Sequence, residues 1–303
     1  MVPIACVPNI SEGRRADVIE RIADAIRRVS RVRLLHYTWD GSHNRSVFTF
    51  VGEARDLTRA VLAMYEPAVA AIDLGRHRGE HPRIGAVDVV PFVPLEASMA
   101  DCVALAREAG AEIAARYGVP VYLYEEAASS PARKNLEDIR RGEFEGLATK
   151  MAQAAWAPDF GPPTPHATAG ASAVGARRPL IAFNVNLATD RLDVARKVAR
   201  AVRSSGGGLP FVKALGVRTA NPASVQVTMN LTNYVRTSLR AAFDAVRRDA
   251  ERAGVRVVES EIVGMVPEAA LEGVAPTELM LKTFTADQVL EYRIRIEDAG
   301  NIN

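Results

Sequence analysis

Between residues 76 and 83 the chain reads R-H-R-G-E-H-P-R, which places two histidines, three arginines and a glutamate in eight positions. Arginines can hold carboxylates in paired hydrogen bonds, and an imidazole beside Glu80 can be tuned for proton transfer near neutral pH. A solvated loop would carry the same charges. His77 and His81 stand four apart, the spacing of a zinc-binding helix pair. Gly79 and Pro82 argue against continuous helix there, however, and Glu80 is not where a zinc hydrolase needs its base. A second polar cluster, D-G-S-H-N-R at 40–45, fits either a hairpin turn or a site. A third, V-P-N-I-S-E-G at 7–13, sets Asn9 and Ser11 before a predicted helix, where they could face an anion or simply cap it. All five histidines precede residue 167, so imidazole chemistry belongs to the first half.

Other chemistries lose their usual support. No G-x-G-x-x-G follows a predicted strand and no G-x-S-x-G occurs. The run S-S-G-G-G at 204–208 lacks the lysine of a phosphate loop and reads as a helix-ending loop. Cys6 and Cys102 form no C-x-x-C and read as buried thiols. With 38 basic against 36 acidic residues, a net charge of +2 is too small to draw the chain to nucleic acid or an anionic membrane. No apolar run nears the ~20 residues of a membrane span, and the N-terminus lacks a signal-type core, so a cytoplasmic protein acting on small molecules is expected.

The elements that must position these clusters follow from hydrophobic periodicity. Helices are predicted at 14–29, 54–73 and 98–116, the last capped by Ser98, with a short helical stretch at 143–155. Strands are predicted within 2–8 and at 32–39, 46–52, 86–94 and 119–125. The order β-α-β-β-α-β then returns. A strand at 179–187 precedes a helix capped by Asp190, strands near 212–218 and 224–231 follow, a helix opens at Asn233, and 255–264 closes the set. Each half reads as a split βαβ unit, an α/β (α+β) layer with helices on one face of a mixed sheet. The segment 156–177 carries four prolines and no sustained periodicity, too long for a plain connector and suited to a binding loop.

Taken together, C-V-P-N-I-S-E-G-R at 6–14, H-N-R-S-V-F-T-F-V-G at 43–52, R-H-R-G-E-H-P-R-I-G-A-V-D-V-V-P-F-V-P at 76–94, V-P-V-Y-L-Y at 119–124, W-A-P-D-F-G-P at 156–162 and I-A-F-N-V-N-L at 181–187 resemble the formiminotransferase family. The resemblance reaches V-G-M-V-P at 263–267 and points to the stand-alone bacterial form, without a cyclodeaminase domain. It implies two subdomains, 1–178 and 179–303, whose sheets face across a folate tunnel with helices outside, in a homodimer. The implied reaction moves the formimino group of N-formimino-L-glutamate to N-5 of tetrahydrofolate, a co-substrate, in histidine degradation, without a metal.

The family's catalytic histidine falls on His81, and an orienting carboxylate is carried over to Asp40. The folate-binding stretch maps onto Gly161, Pro162, Pro163, Thr164, Pro165, His166, Ala167, Thr168, Ala169 and Gly170, and the substrate-binding set onto Asn9, Ser11, Glu12, Asn44 and Arg45. Formyl transfer between 5-formyltetrahydrofolate and glutamate, or folate binding without catalysis, stays open as an alternative.

Overall fold

The computed structural model describes residues 3–300. The chain divides into two compact units, Met1–Arg177 and Arg178–Asn303.

In the first unit the N-terminal apolar run is split by Pro8 into β1 (Ile4–Cys6) and β2 (Asn9–Ile10), both lying between β4 (Arg45–Gly52) and β5 (Val87–Pro94). With β3 (Arg33–Asp40) on the outer side of β4, the strand order is β3, β4, β1/β2, β5, all antiparallel. Counting β1/β2 as one strand, this is the 4-1-3-2 arrangement of a split βαβ unit. Beyond β5 the sheet continues in parallel through β7 (Ser172–Ala176) to β6 (Val121–Glu125). Three amphipathic helices, α1 (Ala16–Arg27), α2 (Ala54–Ala71) and α3 (Met99–Tyr117), bury Ile19, Ile22, Val61, Tyr65, Leu105 and Ile113 against one face. Ser98 caps α3 as the sequence predicts, its hydroxyl accepting from the Asp101 N–H while Asp101 accepts from the Ser98 N–H. On the other face, α4 (Leu136–Arg140) and α5 (Glu143–Met151) lay Ile139, Leu147 and Met151 against Val89, Tyr122 and Tyr124.

The second unit repeats the layout. β8 (Ile181–Leu187), α6 (Leu192–Val202), β9 (Val212–Arg218), β10 (Val225–Leu231), α7 (Leu239–Arg252) and β11 (Val257–Val263) build a sheet of order β11, β8, β10, β9. This sheet is antiparallel throughout, not mixed as expected, because each crossing helix returns the chain to a strand two places away. The run 204–208 does follow a helix end, as expected, and forms a short 3-10 turn. Two expected caps are displaced. Arg191, not Asp190, precedes α6, and α7 is capped by Ser238, because Asn233 instead closes a turn by accepting the Arg236 N–H. A C-terminal helix, α8 (Leu290–Gly300), ends the described chain. Among the described residues no helix is long and apolar enough to cross a membrane.

Candidate active site

Three polar loops converge at one end of the first sheet because β2, β4 and β5 are hydrogen-bonded neighbours. The turn 41–44, which joins β3 to β4, is clamped between the other two. The Asn44 side chain accepts from the Gly13 N–H at 2.9 Å and donates to the Arg78 carbonyl at 3.0 Å. Asn44 holds a positive φ of 49°, a backbone state that asparagine tolerates better than most residues. The Glu80 N–H donates to the Ser42 carbonyl. Gly79 lies so close that a Cβ there would strike the His43 carbonyl oxygen, so the R-G-E-H run needs glycine for loop contact.

His81 is partly buried at this junction. Its Nδ1 lies 2.9 Å from the Pro82 carbonyl, and since a carbonyl can only accept, Nδ1 carries the proton and Nε2 presents a lone pair. Burial, then the positive charges of Arg45 and Arg140, hold its pKa well below the ordinary 6.5. The imidazole is therefore a neutral base at pH 7. The ring of His43 stands edge-on to it, with centroids 6.2 Å apart.

Asp40 pairs with His43: its Oδ1 accepts from the His43 backbone N–H at 2.6 Å and from Nδ1 at 3.0 Å. The His43 contacts pull the Asp40 carboxyl down to about 2. Asp40 thus contacts His43, whose ring borders His81, and among the described contacts none joins Asp40 to His81 directly. His77 is used on both sides, its Nε2 donating to the Asn44 carbonyl and its Nδ1 accepting from Arg83. Arg83 in turn grips Glu143 and Glu145 at the start of α5. This makes His77 part of the scaffold.

Asp88 is fully buried on β5, and its charge acts on His81. Its Oδ1 accepts from the Ile84 N–H at 2.8 Å and, at 3.3 Å, from the Gly85 N–H. Oδ2 accepts from Arg45 at 2.9 Å and Arg140 at 2.5 Å. Burial opposes its ionisation, but Arg140 and Arg45 outweigh that and hold the carboxyl far below its usual range. Arg45 also donates to the Asn9 side-chain carbonyl at 3.0 Å, and burial followed by the neighbouring Arg140 lowers its pKa to about 10. Ser11 donates to the Gly85 carbonyl at 2.7 Å, and Glu12 accepts from the Arg14 and Arg15 N–H groups and from the Arg15 side chain. Both side chains are thus engaged in holding the loops and the start of α1.

The segment Gly161–Gly170 begins at the surface, where Gly161 to Thr164 are exposed, and turns inward. His166 and Gly170 exchange backbone hydrogen bonds, and His166 Nδ1 accepts from the Ala169 N–H at 3.0 Å, so its Nε2 carries the proton. The Thr168 carbonyl accepts from the Leu74 N–H and the Ala169 carbonyl from the Ala86 N–H, which ties the inner end of the loop to both ends of the segment that carries His77 and His81. Gly170 must be glycine, with φ of 69° and the Ile84 carbonyl against it. Pro162, Pro163 and Pro165 stiffen the outer half.

Sequence reading did not assign Asp88 or Arg140 to the site. A carboxylate inside the apolar run A-V-D-V-V-P was a usable signal, since a buried charge demands partners. Arg140 gave none, sitting in a short polar stretch. Among the described residues no group of three or more His, Cys, Asp or Glu is placed to hold a metal ion.

The formiminotransferase domain, N-terminal subdomain, matches residues 3–177, and the formiminotransferase domain matches residues 182–292. A glutamate formimidoyltransferase of Streptococcus pyogenes serotype M1 is 42% identical over 95% of this chain and 97% of its own length. One from Thermoplasma acidophilum is 47% identical over 99% of both chains. The formimidoyltransferase-cyclodeaminase of Mus musculus is 40% identical, with 97% of this chain covering 55% of that protein. Matched in both halves and along nearly the whole of two stand-alone relatives, the chain belongs to the formiminotransferase family.

Proposed function

We infer that the chain is a glutamate formimidoyltransferase, moving the formimino group of N-formimino-L-glutamate to N-5 of tetrahydrofolate and releasing L-glutamate and 5-formiminotetrahydrofolate. The observation that carries the chemistry is His81, whose Nδ1 is held by the Pro82 carbonyl so that Nε2 presents a lone pair, in the field of Arg45 and Arg140, which share Asp88. N-5 is a secondary amine that adds to the amidine carbon, so it must lose a proton, and the glutamate nitrogen must gain one as its bond to that carbon breaks. His81 Nε2 accepts the first proton and delivers the second. Arg45 and Arg140 beside it favour return of the proton to the leaving nitrogen. His43, fixed by Asp40, borders the ring and limits its rotation.

Asn9, Ser11, Glu12, Asn44 and Arg45 frame the donor side, mostly by holding the loops, and Gly161–Gly170 is the folate side of the same reading. The family supports tetrahydrofolate as co-substrate, and the resemblance supports a cytoplasmic homodimer without a metal. Purified protein given formiminoglutamate and tetrahydrofolate should form 5-formiminotetrahydrofolate. Faster turnover of 5-formyltetrahydrofolate with glutamate would favour formyl transfer instead, and binding of folate with no turnover of either pair would make it a binding protein.

A further inference from the structure

The buried charges around Asp88 do not balance. One carboxylate meets two guanidinium groups on the same oxygen, with Asp88 0%, Arg45 8% and Arg140 13% exposed. The Nε of Arg140 is buried and has no hydrogen-bond partner. The carboxylates of Glu143 and Glu145, a few residues beyond Arg140, are engaged by Arg83. The groups around His81 are Arg45 from β4, Arg140 from α4, Asp88 from β5, the His43 ring and the Pro82 carbonyl. The hydrogen-bonded set of Arg45, Arg140 and Asp88 holds two positive charges against one negative, one positive charge in excess, while the Asp40 carboxylate is engaged by His43. Burying an uncompensated ion is strongly unfavourable, so the cluster is stabilised by an anion that joins it.

We propose that Arg140, together with Arg45, binds the α-carboxylate of the formimino donor. The inference rests on the reading of the chain as a formiminotransferase. In the donor, the α-carboxylate and the reacting nitrogen sit on the same carbon, so a group that protonates that nitrogen must have the carboxylate's partner as its neighbour. Arg45 and Arg140 are the cations that act on His81, and a guanidinium offers the paired N–H geometry a carboxylate accepts. The γ-carboxylate lies several bonds away from that nitrogen. Arrival of the α-carboxylate also offsets the positive field at His81, so its proton affinity rises when the donor is in place and N-5 has a proton to lose.

The test compares wild type, Arg140→Lys and Arg140→Gln with N-formimino-L-glutamate and with N-formimino-γ-aminobutyrate, which lacks only the α-carboxylate. Arg140→Gln should raise KM for formiminoglutamate about 10- to 100-fold, as expected for loss of a charge-assisted hydrogen bond. KM for tetrahydrofolate should stay within about threefold, a change too small for a lost ionic contact. Wild type should lose a similar factor on the truncated donor, whereas Arg140→Gln should no longer discriminate the two, and Arg140→Lys should recover part of the loss. The acid limb of kcat/KM should move to higher pH in Arg140→Gln, because a cation has been removed from beside His81. Equal rises in both KM values, or a wild type indifferent to the α-carboxylate, would overturn the assignment while leaving the transferase reading intact. Should Arg140→Gln not fold, wild type and Arg140→Lys with the two donors decide it. A wild type inert with formiminoglutamate would overturn both readings.

Discussion

Replacing Asp88 by Asn removes the anion that Arg45 and Arg140 share. The amide fits the space but offers one neutral acceptor where the carboxylate met two guanidinium groups and the N–H groups of Ile84 and Gly85. Its NH2 must also point at another donor. Breaking a buried ion pair from one side costs about 3–5 kcal/mol, a large share of a typical stability of about 5–15 kcal/mol. At roughly 2–4 °C per kcal/mol for a unit of this size, the thermal transition that includes the first unit should fall by about 10 °C. Circular dichroism melts and urea titrations measure it. The sign with pH is fixed by the depressed carboxyl. The contribution of Asp88 is fully present above its unfolded value of 3.8 and is lost as pH falls through its lower folded value. The gap between wild type and Asp88→Asn should therefore be constant from about pH 5 to 8 and narrow only below about pH 4. A variant within about 0.5 kcal/mol of wild type at pH 7, the range of an ordinary surface substitution, would refute the reasoning.

His77→Gln should lower stability by about 1–3 kcal/mol, since it breaks the link between Asn44 and Arg83, yet keep kcat within about tenfold of wild type; kinetics beside urea unfolding separate the two effects. Gly79→Ala should push the 76–83 loop off the His43 carbonyl and reduce kcat with little change in the folding transition, which steady-state assays and melts can check. Because His81 must be unprotonated and its pKa lies well below 6.5, the kcat/KM profile should be level from about pH 6.5 to 8 and fall only at lower pH. An acid limb centred above the ordinary histidine value would contradict that environment.

Much of the fold is written in periodicity. Helices α1 and α2 and the paired strands β3 and β4 appear within a few residues of their predicted bounds because one face of each is apolar. β7 escaped because S-A-V-G-A is buried on both faces and made of small residues, so no alternation marks it, and the prolines before it suggested loop throughout. α4 is a five-residue helix, too short for a period to show. The site follows the same division. Its loops announced themselves by polar residues that interrupt apolar strands, and His81 by its dense surroundings. The partnership of Asp88 with Arg45, and of Arg45 with Asn9, could not be read, because it is set by strand order: β2, β4 and β5 lie side by side although residues 9, 45 and 88 are far apart in the chain. Arg140 reaches Asp88 only because α4 packs on the face opposite the long helices.

In the proposed reaction His81 moves the proton in formimino transfer. The most direct test is the rate of 5-formiminotetrahydrofolate formation by wild type and His81→Ala at saturating substrates and equal folded concentration. Wild type should turn over, and His81→Ala should be slower by about 10²- to 10⁴-fold, the usual contribution of a general acid–base group, with an unchanged melting curve. A variant retaining more than about a tenth of wild-type turnover would show that the proton travels by another route.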